Sequence, residues 1–357
     1  MDSMDRTEGT EHHENKVLNE LRAEFSCTHG TIVDGAVRQW ILWNTTDLYA
    51  WWHSFEDQCQ TPLGRKLMNA CADQEEYMLK TDNLLPNGWF RRAKRQQDHL
   101  DHRWKKYGWG RYSVAQQTAQ SLVFAPMVSG IALATNELLH DRRQKIEWHQ
   151  LSQNTIRFEL KPDANVLPTA PPPPSLAWSR PAEVGFSSPP IFDELAHEGA
   201  GLTIGGETVC LFPADAFTRL FHTCRAYPNS VSQERKDAWQ TPDLDDGERS
   251  VLLMVVASMA SLVNNGERPI YIESQASWDP LIQHYLAANG WGQPSSVEAL
   301  GSKHGVRFTL PAGSTFPFLV GWLVAMWERG HGKASKFTLV SKEDCWRLEV
   351  DSRLAYN

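Results

Sequence analysis

His99 and His102 lie three residues apart, with Asp98 and Asp101 beside them. On a helix that spacing turns imidazoles and carboxylates to one side, where they could together hold a metal ion. Exposed helices often carry such groups without binding anything, so no metal and no cofactor is expected. The surrounding charge run (Arg91, Arg92, Lys94, Arg95, Arg103, Lys105, Lys106, Arg111) could meet phosphates or an acidic partner. The simpler reading is the solvated face of an amphipathic helix that carries Leu100 and Trp104 inward and breaks at Gly108, because glycine takes the left-handed closing conformation. The cysteines Cys27, Cys59, Cys71, Cys210, Cys224 and Cys345 contain no Cys-x-x-Cys pair, which argues against a zinc ribbon or a disulfide framework. No Gly-x-Ser-x-Gly elbow, phosphate-binding loop, His-Glu-x-x-His or dinucleotide fingerprint is present, and the glycine-rich run 199–206 sits at a strand hairpin. No catalytic residue is therefore assigned, and an enzyme is the less favoured class.

A formal charge of −8 makes nucleic acid an improbable partner. With 41% hydrophobic and 22% charged residues the composition is that of an ordinary globular chain, apart from its 15 tryptophans. Large aromatics fill cores, line apolar pockets and anchor interfaces. The N-terminal residues 1–16 are polar and acidic, without an apolar signal region, and are expected to form a disordered tail. The longest apolar runs, Val251 to Val263 and Phe316 to Trp327, fall short of the roughly 20 residues a membrane span needs. Reduced thiols and the missing span together suggest a cytoplasmic protein.

The elements that would position these residues recur half a chain apart. Tyr107-Gly108-Trp109-Gly110, a helix opening at Pro126 and a strand Ile156-Arg157-Phe158-Glu159-Leu160 are matched by Asn289-Gly290-Trp291-Gly292, a helix opening at Pro317 and Trp346-Arg347-Leu348-Glu349-Val350. Pro126, Gly130, Ala134 and Glu137 match Pro317, Gly321, Ala325 and Glu328 at one constant offset, which reads as an internal duplication. A hairpin turning at Asp34-Gly35 precedes a helix capped by Thr46-Asp47, and one turning at Gly205-Gly206 precedes a helix capped by Asp215. Strands are expected at 121–124 and 305–310, and a polar loop at 229–247. Residues 162–190, with four consecutive prolines at 171–174, read as a semi-rigid spacer between domains 17–161 and 191–357.

The order hairpin, helices, Gly-Trp-Gly, strand, small-residue helix, closing hairpin resembles the 4-vinyl-reductase-type domain, a relative of vesicle-tethering TRAPP subunits and of aromatic-effector-sensing domains. Ser341-Lys342-Glu343-Asp344-Cys345 is similar to that family's acid-then-cysteine segment. The resemblance implies an α+β fold in two tandem copies, helices on an antiparallel sheet, pairing pseudo-symmetrically as a dimer would. It also implies an apolar cavity, for which Trp40, Trp43, Trp109, Phe124, Trp291, Phe308, Trp322 and Trp327 are the candidate lining residues. Any one of them can equally be plain core. Some members hold zinc through clustered cysteines, but Cys345 stands alone and 151–154 (Leu-Ser-Gln-Asn) has none. Gly130, Ala134, Gly321 and Ala325 put small side chains on one helical face, where either the same domain's sheet or the other copy's helix can approach closely, and pairing of the copies is the favoured reading. The function expected is binding of a small apolar or aromatic molecule, or service as an assembly or adaptor module for a protein partner. The alternatives are an enzyme or enzyme accessory of tetrapyrrole or aromatic metabolism, and an effector sensor acting through a separate transcriptional partner.

Overall fold

The computed structural model describes residues 16–82, 92–165, 168–199 and 201–354, and has an α+β fold of helices and mainly antiparallel sheets. The first half runs α1 (16–24), β1 (Phe25–Thr28), β2 (Thr31–Asp34), β3 (Gln39–Asn44), α2 (Thr45–Gln58), α3 (Gly64–Thr81) and α4 (Arg92–Lys106). It closes with β4 (Arg111–Ser113), β5 (Thr118–Gln120), α5 (Ala125–His140), β6 (Gln144–Ser152) and β7 (Thr155–Pro162). The second half runs β8 (Leu195–Glu198), β9 (Gly201–Ile204), β10 (Glu207–Pro213), α6 (Asp215–Cys224), α7 (Gln233–Ala238), β11 (Trp239–Gln240) and α8 (Asp246–Asn265). It closes with α9 (Trp278–Tyr285), β12 (Ser296–Ala299), β13 (Val306–Leu310), α10 (Phe316–His331), β14 (Ser335–Ser341) and β15 (Trp346–Ser352). The strand order β4-β5-β7-β6 in the first half recurs as β12-β13-β15-β14 in the second, where β11 adds one strand outside β14.

The remaining strands form one sheet across the halves, in the order β1-β2-β3-β10-β9-β8. Its central pair, β3 and β10, is antiparallel with Leu42 opposite Leu211. The helices that follow these strands cross over: α2 packs on α8, and α6 packs on α3. Each half thus lays its own arm on the other's helical core, the geometry of an exchanged element. The Gly-Trp-Gly turns do the same. Gly108 takes φ +73° and a Cβ there would lie 2.6 Å from the carbonyl of Val209, and Gly290 takes φ +84° with a Cβ 2.6 Å from the carbonyl of Trp40. The Trp109 indole N–H donates to the Leu211 carbonyl at 2.8 Å, and the Gly292 N–H donates to the Gly30 carbonyl at 2.8 Å.

Several sequence expectations are corrected. Gly130 does not face the other copy: a Cβ there would sit 2.8 Å from Cys71 Cβ and 2.9 Å from Ala72 N, so its bareness lets α5 approach α3 of the same half. Gly321 likewise admits Met259 of α8, with Ala134 and Ala325 buried on the same two helices. Contact between the halves runs through β3, β10 and the exchanged helices instead. Asn44, not Thr46-Asp47, caps α2, its side chain accepting from the N–H groups of Thr46 and Asp47. Asp215 lies inside α6 and accepts from the Ser314 hydroxyl at 2.6 Å. The strand expected at 121–124 is Thr118–Gln120, and the loop expected at 229–247 contains α7 and β11.

The proline-rich stretch is no free spacer. The Ala170 N–H donates to Glu76 at 3.2 Å and the Pro171 carbonyl accepts from Arg219 at 2.7 Å. Farther on, the Trp178 carbonyl accepts from the Gly313 N–H at 2.8 Å, and its ring stacks on Phe316. The segment therefore straps both halves.

Helix α4 also departs from a solvated face. Leu100 and Trp104 are buried as the spacing predicts, but Arg103 is buried too. Its guanidinium makes paired 2.8 Å bonds to both carboxylate oxygens of Glu75 on α3 and reaches the Tyr107 hydroxyl at 3.1 Å. Glu75 and the neighbouring carboxylates hold Arg103 firmly protonated against the opposing pull of burial. Lys106 and His102 meet Glu24 and Glu20 of α1. Arg103 and Lys106 of the basic run are thus matched by acids of the same chain. The tail up to residue 15 and Arg91 lie outside the described residues.

Candidate functional site

Three of the eight aromatic candidates, Trp43, Trp291 and Trp322, line one cleft of about 510 Å³ where the halves meet. Trp43 is next to last in β3, and the end of that strand, Leu42 to Asn44, lies along the cleft. Trp291 arrives on the Gly-Trp-Gly turn and meets Trp43 edge to face, with ring centroids 4.7 Å apart. Trp322 projects from α10, and Tyr285 of α9 stacks on it at 5.9 Å. Behind these rings Phe318, Trp51 and Phe217 pack against Trp43, fixing its orientation.

The rest of the cleft is polar. Arg268 forms an ion pair with Asp47 of α2, donates to the Leu262 carbonyl at 3.2 Å, and lies over the Trp322 ring at 5.7 Å. Asp47 comes from the first half and Arg268 from the second, so this pair also joins the two. Glu194, Glu207, Glu267 and His284 stand around the same cleft. Burial pushes the Tyr285 phenol above its ordinary range, which keeps its hydroxyl protonated as a donor.

One atom here lacks what it needs. Trp322 is buried, and its indole N–H finds no hydrogen-bond acceptor in the protein. Leaving such a donor unpaired costs about 1–3 kcal/mol. Trp51, Trp104 and Trp178 also bury an unpartnered N–H, but of the four only Trp322 lines this cleft. The arrangement offers a flat ring an aromatic wall, and a small turn of the Trp322 side chain would let its N–H donate to that ring's acceptor.

The other candidates lie elsewhere. Trp40 donates its indole N–H to Asp34 at 2.9 Å and packs on Phe25 and Tyr107; Trp327 donates to the His304 carbonyl at 2.8 Å. Phe308 is buried edge-on to Trp278, and Trp109 is held by Leu211 as described above. These four are core. Phe124 lines a different, wider groove of about 900 Å³ with Tyr49, Leu122 and Thr208. His102 meets Glu20, and the described side chains that gather as potential metal ligands are Glu147, His149 and Glu159, on an exposed sheet face where Lys161 stands 3.8 Å from Glu147. Asp47, Arg268 and Tyr285 were missed as site residues. No local signal marks them, since the ion pair joins positions 221 residues apart.

No protein-family model matches the chain, and no curated protein or solved structure is detectably similar to it.

Proposed function

We propose that the chain is a non-catalytic binding protein made of two 4-vinyl-reductase-like domains, paired in tandem as a pseudo-dimer, that takes a small aromatic molecule into the cleft between them. The observation that carries this reading is that Trp322, whose buried indole N–H has no partner in the protein, lines the same cleft as Trp43, Trp291 and Tyr285. The recurring strand order and the reciprocal docking of the Gly-Trp-Gly turns support the tandem kinship. The six free cysteines suit the reducing cytoplasm, where the binding reading places the protein. Ligand affinity would come from burying apolar surface, at roughly 25 cal/mol per Å² before ordering costs.

The test is a tryptophan-fluorescence and thermal-shift titration against phenols, aromatic hydrocarbons, fatty acids and tetrapyrroles, with product analysis of each mixture. A phenol or other ring bearing an acceptor is expected to raise the melting temperature without being consumed. Trp322→Phe, which keeps the ring wall but removes the N–H, is expected to weaken that ligand about tenfold, a loss of roughly 1.4 kcal/mol for one buried hydrogen bond. Turnover of the added compound would favour the enzyme reading instead. Equal affinity in Trp322→Phe would remove the basis of the proposal.

A further inference from the structure

In the second half, β11 pairs in parallel with the outer edge of β14, Trp239 opposite Phe337. The Trp239 ring stacks on Phe337 at 5.4 Å, and its N–H donates to the Ser335 hydroxyl at 3.1 Å. Arg235, four residues earlier, lies over the ring at 4.9 Å and forms an ion pair with Glu328 of α10 at 3.6 Å. This segment is carried by the 225–245 connection between α6 and α8.

Among the described residues, the first half has the corresponding place without the corresponding segment. Ile146 stands opposite Leu160 as Phe337 stands opposite Val350, and Glu137 corresponds to Glu328, so the Trp239 position maps onto the edge of β6 beside α3 and α5. There the structure has a cleft of about 450 Å³ lined by Arg65, Met68, Ala72, Leu133, Glu137 and Ile146 among others. The α2–α3 connection is only residues 59–63 and carries no strand. Arg65 takes part of the missing role, its guanidinium donating to the Ile146 carbonyl at 2.6 Å and lying over the Trp148 ring at 4.7 Å. Among the described residues no strand lies beside the β6 edge, and a long side chain that can swing away covers one of its carbonyls, so the edge can take an added strand.

We propose that the β6 edge and its slot between α3 and α5 bind an extended segment of a partner protein that carries an aromatic residue four positions after a basic one. The aromatic ring enters over Ile146, as Trp239 does over Phe337. The basic residue joins Arg143, which already bonds Glu76 at 2.9 Å and Glu137 at 2.5 Å, at these carboxylates, with Glu147 beside them on the same slot. None of the residues lining this slot lines the Trp322 cleft, so the two sites stand or fall separately.

The probe is a fluorescent peptide with the chain's own sequence 233–242 (Gln-Glu-Arg-Lys-Asp-Ala-Trp-Gln-Thr-Pro), titrated into the intact protein and followed by anisotropy. Saturable binding is expected, weakened about tenfold or more when the peptide tryptophan is alanine, as for loss of a central aromatic anchor. Asn69→Trp, at an exposed position of α3 that lines the slot, is expected to weaken it as much while leaving the thermal transition unchanged. Absence of saturable binding, or binding indifferent to both substitutions, overturns the proposal. Self-association of the chain by sedimentation, abolished by Asn69→Trp, would assign the slot to a second copy and overturn it equally.

Discussion

Glu75→Ala is expected to lower the unfolding free energy by about 3–5 kcal/mol, read as a shift of the urea midpoint. Both members of the Arg103–Glu75 pair are almost fully buried, with Glu75 only 1% exposed, and the fork-to-fork pair supplies two 2.8 Å bonds to the guanidinium. Removing the acid strands a guanidinium between α3 and α4, over the Tyr107 and Trp109 rings. Its remaining partner would be the Tyr107 hydroxyl, itself bonded to Glu24. The double variant Glu75→Leu/Arg103→Leu separates the cost of an unpaired charge from the worth of the pair. It is expected to recover most of the loss, because buried ion pairs are often replaceable by well-packed apolar groups. A double variant as unstable as Glu75→Ala would mean that the pair itself, not its disruption, holds α4 in place.

Gly290→Ala is expected to cost about 3 kcal/mol, from about 1–2 kcal/mol for forcing a left-handed backbone on alanine and about 1–3 kcal/mol for overpacking. At φ +84° the new Cβ would lie 2.6 Å from the Trp40 carbonyl and 3.0 Å from Ile32, both in the first half. Neither neighbour can yield easily, since one is backbone of a central strand. Gly108→Ala meets the Val209 carbonyl at 2.6 Å from the opposite direction and is expected to behave alike. Gly35→Ala, with open space around it, serves as the control and should be near neutral. The Gly290 variant carries a second consequence: Trp291 is displaced from Trp43, so ligand binding in the cleft should weaken as well. Full stability in Gly290→Ala would contradict the interlocked packing of the halves.

The sequence makes the local elements legible. The helices from Pro126 and Pro317, the two Gly-Trp-Gly turns and the closing hairpins all carry apolar periodicity or punctuation that acts within a few residues. Partnership between distant residues is a different matter. Nothing in Gln39–Asn44 announces that its edge will pair with Glu207–Pro213, because strand pairing adds no local periodicity. The small residues at Gly130 and Gly321 signal a close helix approach but not whose helix, and only the packing of α3 and α8 decides it. Strand β11 hides in a polar stretch because it is two residues long. The capping errors have a local cause: Asn44, Thr46 and Asp47 are all good cap residues, and a one-turn shift chooses among them. Arg103 was masked by its neighbours, since a buried arginine inside a basic run differs from them only through Glu75 on another helix.

The cleft follows the same logic, because Trp43 and Asp47 come from one half while Trp291, Trp322 and Arg268 come from the other. The most direct measurement is the indole ¹H–¹⁵N spectrum of the protein during titration with a phenol, the Trp322 signal being assigned by its loss in Trp322→Phe. The binding account predicts a saturable downfield shift of the Trp322 N–H as it gains its acceptor, with smaller changes at Trp43 and Trp291. A Trp322 signal that stays fixed while the ligand saturates other resonances would contradict it.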